Sequence, residues 1–204
     1  ELSKKNMKNV VQSFIENTLY YMEKEKEELF FTGEVPNLNV EIFNRPILLV
    51  IRGQHFIEDL IKLKSFIKKT DPILVGVDGG ADGFREINYI PDIIFGDMDS
   101  VSDDTLKKAR NIVVHGYSNG ICPGEERLKK LHLNYKKYFC FGTSEDAAIL
   151  MSYFMGASMI VTIGSHNNMI DFLEKNRKGM GSTVLTRMLI GSKLIDAKGF
   201  FKLF

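Results

Sequence analysis

Two short apolar runs constrain this chain more than any other feature. Ile73-Leu74-Val75-Gly76-Val77 ends in Asp78-Gly79-Gly80, and Ile93-Ile94-Phe95 ends in Gly96-Asp97-Met98-Asp99-Ser100. Each run is too short for a buried helix and is rich in β-branched residues, so each reads as a buried strand. Each then breaks into glycine and carboxylate at the point where a buried strand should surface. In open α/β sheets, ligands collect outside the carboxyl ends of the strands. Glycine there lets the backbone approach a phosphate, and two aspartates one residue apart can share a hard cation. The stretch Val77–Ser100 therefore reads as a polyphosphate–magnesium site.

The flanking chain fits that frame. Predicted strands at 47–51, 73–77, 93–95, 112–114, 138–141 and 159–163 alternate with predicted helices at 55–69, 81–88, 102 onward, 125–131 and 144–155. Ser102 is the expected N-cap of its helix, with Asp103 and Asp104 in the first turn. Continuous apolar strands between amphipathic helices predict a three-layer α/β fold. It has a mostly parallel sheet of about six strands with helices on both faces. Two more helical segments follow, at about 167–176 and 181–190. The chain divides into an N-terminal arm and linker over 1–45 and an α/β domain over 46–204.

The arm is expected to be one long helix over 4–31, with Val10, Val11, Phe14, Ile15, Leu19, Met22 and Leu29 at helical spacing. Its apolar stripe predicts packing against a second copy of the chain, hence a homodimer; folding back along its own domain is the competing arrangement.

Composition excludes several classes. With 44% hydrophobic and 26% charged residues the chain is ordinary globular material. A net charge of +1, from 27 basic and 26 acidic residues, shows no basic excess for nucleic acid. Cys122 and Cys140 match no metal spacing and read as free thiols of a reducing cytoplasm. No apolar run is long enough to span a bilayer. The abrupt apolar end at Phe204 and the start at Glu1 suggest a piece of a longer protein, which could be membrane-tethered through segments absent here.

Asp78, Asp97, Asp99 and Asp146 each follow a different predicted strand, and a parallel sheet would bring them to one edge. Asp146 could equally be the acidic start of a helix. Arg52-Gly53 closes the first strand, and Arg52 is a candidate phosphate clamp, with Arg187 a weaker one. Gly79 and Gly80 would present backbone amides to phosphate, as could Thr143-Ser144 and Gly181-Ser182-Thr183 at helix starts, although both are also common N-cap chemistry. His166, after the sixth strand, could contact a ligand or be structural.

The segment Asp78-Gly79-Gly80-Ala81, followed by Pro91-Asp92-Ile93-Ile94-Phe95-Gly96-Asp97-Met98-Asp99-Ser100, resembles the catalytic domain of thiamin pyrophosphokinases, whose motifs read DGGAN and PDxxxGDxDS. The resemblance implies pyrophosphate transfer from ATP. It implies magnesium held by Asp97, Asp99 and Asp146, and a nucleotide (ATP or GTP) bound near Arg52, Gly53, Asp78, Gly79, Gly80, Ser100, Thr143, Ser144 and His166. Two features depart from it. The family's GGRxDH has no counterpart in Gly164-Ser165-His166-Asn167-Asn168-Met169, and its C-terminal β-sandwich is replaced by helical sequence. The whole chain looks closer to the SteA-like branch, associated with the bacterial cytokinetic ring. Two functions follow as expectations: a magnesium-dependent transferase with an unknown acceptor, or a non-catalytic nucleotide-binding scaffold in cell division with a protein partner.

Overall fold

In the computed structural model, residues 2–30 and 34–203 are described, with side chains from Met7 onward. The elements in chain order are α1 (Leu2–Glu25), β1 (Pro46–Ile51), α2 (Phe56–Lys62), α3 (Lys64–Thr70), β2 (Ile73–Val77), α4 (Gly83–Glu86), β3 (Ile93–Gly96) and α5 (Asp103–Lys108). There follow β4 (Asn111–Gly116), α6 (Glu125–Lys130), β5 (Lys136–Phe139), α7 (Ser144–Phe154), β6 (Met159–Ile163), α8 (Met169–Glu174), α9 (Gly181–Ile190) and β7 (Leu194–Asp196). The strands form one sheet in the order β5-β4-β3-β2-β1-β6-β7. Every pairing is parallel.

Side-chain alternation along each strand sorts the core into two layers. Ile47, Leu49 and Ile51 of β1, with Val75, Val77, Ile93, Phe95 and Val113, face α7 and α9 and meet Ala147, Ile149, Leu150 and Leu185. The intervening Leu48, Val50 and Leu74 meet Leu60, Leu63 and Phe84. Ile94 and Val114 meet Leu106 and Leu128. The result is the expected three-layer α/β fold, with seven strands instead of about six.

The differences from the sequence reading have local causes. The seventh strand, Leu194–Asp196, is a three-residue edge strand with Ile195 half exposed, which carries almost no periodic signal. Strand β5 starts at Lys136 instead of Tyr138. As an edge strand it leaves Lys136 and Lys137 in solvent, whereas Cys140 and Phe141 turn away from the ladder into the core. The helix predicted over 81–88 is a 3₁₀ turn, Asp78–Asp82, running into the short α4. The helix predicted over 55–69 is interrupted at Leu63.

The arm helix ends at Glu25, with a 3₁₀ turn at Glu28–Phe30; residue 31, the predicted helix end, lies outside the described residues, as does Gly33. The domain does have surface to cover part of the arm, contrary to expectation. Phe14, 5% exposed, meets Phe172 edge to face at 6.4 Å. The Thr18 hydroxyl donates to the Phe14 carbonyl (2.8 Å) and accepts from the Met180 amide (3.1 Å). This close crossing with α9 needs a glycine, because a Cβ on Gly181 would stand 2.7 Å from the Tyr21 Cβ and 2.8 Å from the Thr18 carbonyl oxygen. Met7, Val10, Ile15 and Leu19 remain exposed.

Gly181→Val is therefore expected to lift the arm without unfolding the sheet. Hydrogen exchange should show lost protection in α1 with β1–β3 unchanged; unchanged α1 protection would refute the docking described.

Candidate functional site

The β2–β3 register decides where the carboxylates fall. Val77 lies opposite Phe95, so the next residues, Asp78 and Gly96, are neighbours at the strand ends and Asp97 follows immediately. Asp78 has φ +46° and Gly96 has φ +140°. A Cβ at residue 96 would lie 1.8 Å from Asp78 Oδ1, so the Asp78 carboxyl occupies the space that a side chain there would need. The Met98 amide donates to Asp78 Oδ1 at 3.2 Å. Burial pushes the Asp78 carboxyl up to about 7, and the adjacent Asp97 carboxyl pushes in the same direction, against the Met98 amide and the Ser144 hydroxyl. Two carboxylates so close, one of them largely desolvated, repel when both are ionised.

The loop that carries them is fixed from below. The Gly79 amide donates to Ser100 Oγ at 2.8 Å, and the Asp99 amide donates to Asp97 Oδ1 at 3.1 Å. Arg127, from α6, donates to the Met98 and Val101 carbonyls and to the Asp103 carboxylate. Ser102 caps α5 as expected, and Asp82 accepts from the Ser102 and Thr105 hydroxyls. Asp99 and Ser100 are exposed beyond the pair.

Asp146 is held by the starts of two helices. Its Oδ2 accepts from the Thr143 amide (3.2 Å), Thr143 Oγ1 (2.9 Å), Ser182 Oγ (2.8 Å) and Thr183 Oγ1 (3.1 Å). The Asp146 amide donates back to Thr143 Oγ1, completing a capping box. Asp146 is 1% exposed and ties the start of α7 to the start of α9. The helix-start alternative thus describes its contacts. Among the described residues, no group of three or more His, Cys, Asp and Glu side chains stands ready to hold a metal ion. Asp78 with Asp97 is the pair that the fold brings together.

The remaining predicted residues divide between cleft and scaffold. Gly53 packs its backbone on Gly164, and Gly80 on the Val50 carbonyl. Arg52 is exposed and lies across Gly79. Thr143 and Ser144 line a cleft of about 760 Å³, together with Asp97. His166 instead pairs with the buried Glu145, whose Oε2 accepts from the His166 amide (3.1 Å) and lies 3.2 Å from its Nδ1. Burial holds the Glu145 carboxyl above its usual range. Arg187 pairs with Asp196 (3.0 Å), which also accepts from Ser165 and Asn167. The end of β6 is thus closed by its own side chains.

Two contributions to the site went unread in the sequence. His115, at the end of β4, is 2% exposed, and its Nε2 lies 3.0 Å from the Cys140 carbonyl. A carbonyl only accepts, so Nε2 carries the hydrogen and Nδ1 faces the Ser144 hydroxyl at 3.5 Å. Burial lowers the His115 pKa, keeping the ring neutral. A histidine ending an Ile-Val-Val run was the available signal. The other is the arm, since Tyr21, Lys24, Glu25 and Glu28 line the same cleft as Asp97 and Ser144.

Known proteins are similar to part of this chain. Residues 63–118, just over a quarter of the chain, match the family model described as thiamin pyrophosphokinase, catalytic domain. No curated protein matches. The crystal structure of thiamine pyrophosphokinase from Bacillus subtilis is similar at 20% sequence identity and a TM-score of 0.38, over 65% of this chain. The chain spans about half of that protein's length, 53%.

Asp97→Asn should stabilise the metal-free protein at pH 8 by on the order of 1 kcal/mol, because it removes the repulsion within the pair. The folded Asp78 pKa of about 7 lies above its unfolded value, so the penalty sets in as pH rises above about 4, grows up to about pH 7 and is constant beyond it. The gain should vanish near pH 4 in denaturant titrations with chelator. A gain independent of pH would contradict the pairing. Asp146→Ala should cost about 2–4 kcal/mol in the same assay, from a lost cap and stranded hydroxyls.

The segment that matches this family model, residues 63–118, is the one that builds β2, β3, α5, β4 and the Asp78–Asp97 pair.

Proposed function

We propose that this chain binds a nucleotide triphosphate with magnesium at the carboxyl edge of its sheet. The observation that carries the reading is the Asp78–Asp97 pair on adjacent parallel strands, with Asp97 opening into a cleft of nucleotide size. Magnesium favours one or two carboxylates, completing its shell with water and substrate phosphates. The pair fits that demand, because a divalent cation would offset the burial and the repulsion by Asp97 that together hold the Asp78 carboxyl up. Asp97, with Asp78 behind it, would hold the ion, and Asp99 would act through water. Magnesium bound there supplies neutralisation of polyphosphate charge.

The chain's own groups supply the rest. Ser144 and Thr143, at the start of the 11-residue α7, lie where a phosphate would meet the positive end of a helix. Arg177 and Lys178 add cationic charge to the cleft wall. Transfer of a pyrophosphoryl group needs mainly positioning and charge neutralisation, so this constellation is adequate for a transferase acting on an acceptor hydroxyl. Neutral His115, through Ser144, is placed to take up a proton at Nδ1.

A second reading, a non-catalytic nucleotide-binding scaffold in bacterial cell division, is favoured by one observation. The stretch Gly164–Met169, where the family resemblance would seat the acceptor, spends Ser165, His166 and Asn167 on internal partners. Both readings require the nucleotide.

Calorimetry with ATP and GTP, with and without magnesium, tests the shared claim. Magnesium-dependent binding should appear and should weaken at least about tenfold in Asp97→Asn. Absence of binding, or binding indifferent to magnesium and to Asp97, would refute it.

A further inference from the structure

The arm helix contributes a wall to the cleft, and that wall has a donor–acceptor pattern of its own. Glu25 and Lys24 are consecutive on α1 and both line the cleft, with Tyr21 one turn earlier on the Glu25 face. Glu28 is engaged, its Oε2 accepting from Ser118 Oγ. Glu25 is different, because its Oε2 is buried without a hydrogen-bond partner. Burial, with Glu28 and Asp146 nearby, pushes that carboxyl up to about 7, a strained acceptor that donor groups would relieve. Tyr21 is 40% exposed and offers a ring on which a planar base can stack.

We propose that this wall reads the base of the nucleotide, with Glu25 accepting from two adjacent N–H groups and Lys24 donating to a neighbouring carbonyl, so that guanine is selected over adenine. The inference rests on the nucleotide reading above. A carboxylate only accepts and an ammonium only donates. The pairing edge of guanine presents a carbonyl oxygen, a ring N–H and an amino group in sequence, which complements Lys24 and Glu25 at each place. The same edge of adenine presents an amino donor towards Lys24 and a bare ring nitrogen towards Glu25, a mismatch at both. Selection then comes from repulsion of adenine as well as attraction of guanine. The polyphosphate lies across the cleft, at Asp97, Thr143 and Ser144, and the arm docks through Gly181 with the α9 start between the two.

Binding of GTP, ATP and ITP to the whole chain with magnesium tests this, with ITP lacking only the amino group. GTP should bind at least about tenfold tighter than ATP, with ITP between them. Glu25→Gln should lose GTP affinity by at least about tenfold while leaving ATP within about twofold, so that ATP binding reports an intact fold and phosphate site. ATP binding as tightly as GTP would overturn the base assignment and leave the nucleotide reading standing. Equal loss of both nucleotides in Glu25→Gln would show a structural role only, again overturning it. If no nucleotide binds, both the assignment and the underlying reading fall.

Discussion

Gly96 has no side chain, and the Asp78 carboxyl lies in the space that one would fill. Much of the site follows from that contact. The register of β2 against β3 brings Asp78 beside Gly96 and sets Asp97 next to it. The pair is held in place although it is electrostatically unfavourable in the absence of a cation. The loop 97–102 is anchored by Ser100 to Gly79, by Ser102 to Asp82 and by Arg127 from beneath, so the two carboxylates have little freedom to swing apart. Such a held pair of like charges at a strand edge is what the proposed cation site rests on.

The opposite side of the cleft has separate origins. Asp146 joins the starts of α7 and α9 by collecting four hydrogen bonds on one oxygen. That union positions Gly181, and Gly181 admits the arm. Asp146 thus joins the two helix starts that line the cleft, through Thr143, Ser144, Gly181 and Ser182.

The strands were legible because buried parallel strands are written as continuous apolar runs, and 73–77 and 159–163 were read to the residue. The Asp97 and Asp78 positions followed from where those runs end. What could not be read is what depends on long-range contacts. Asp146 follows a strand as Asp97 does, but its contacts with Ser182 and Thr183 come from 36 and 37 residues away. The arm's docking turned on a glycine 160 residues from Tyr21, which no periodicity reveals. Edge strands β5 and β7 carry mixed lysine and short apolar sequence, because only one neighbour and one face constrain them.

The central claim is that Asp78 and Asp97 act as one cation site. Crystals of the protein grown with manganese in place of magnesium, and with a non-hydrolysable nucleotide triphosphate, test it directly through anomalous scattering. The account predicts a peak at roughly 2.0–2.3 Å from a carboxylate oxygen of Asp97, with Asp78 in or immediately behind the shell and a phosphate oxygen opposite. A peak held by Asp99 and Asp146 without Asp78, or nucleotide bound in the cleft with no metal at Asp97, would contradict it.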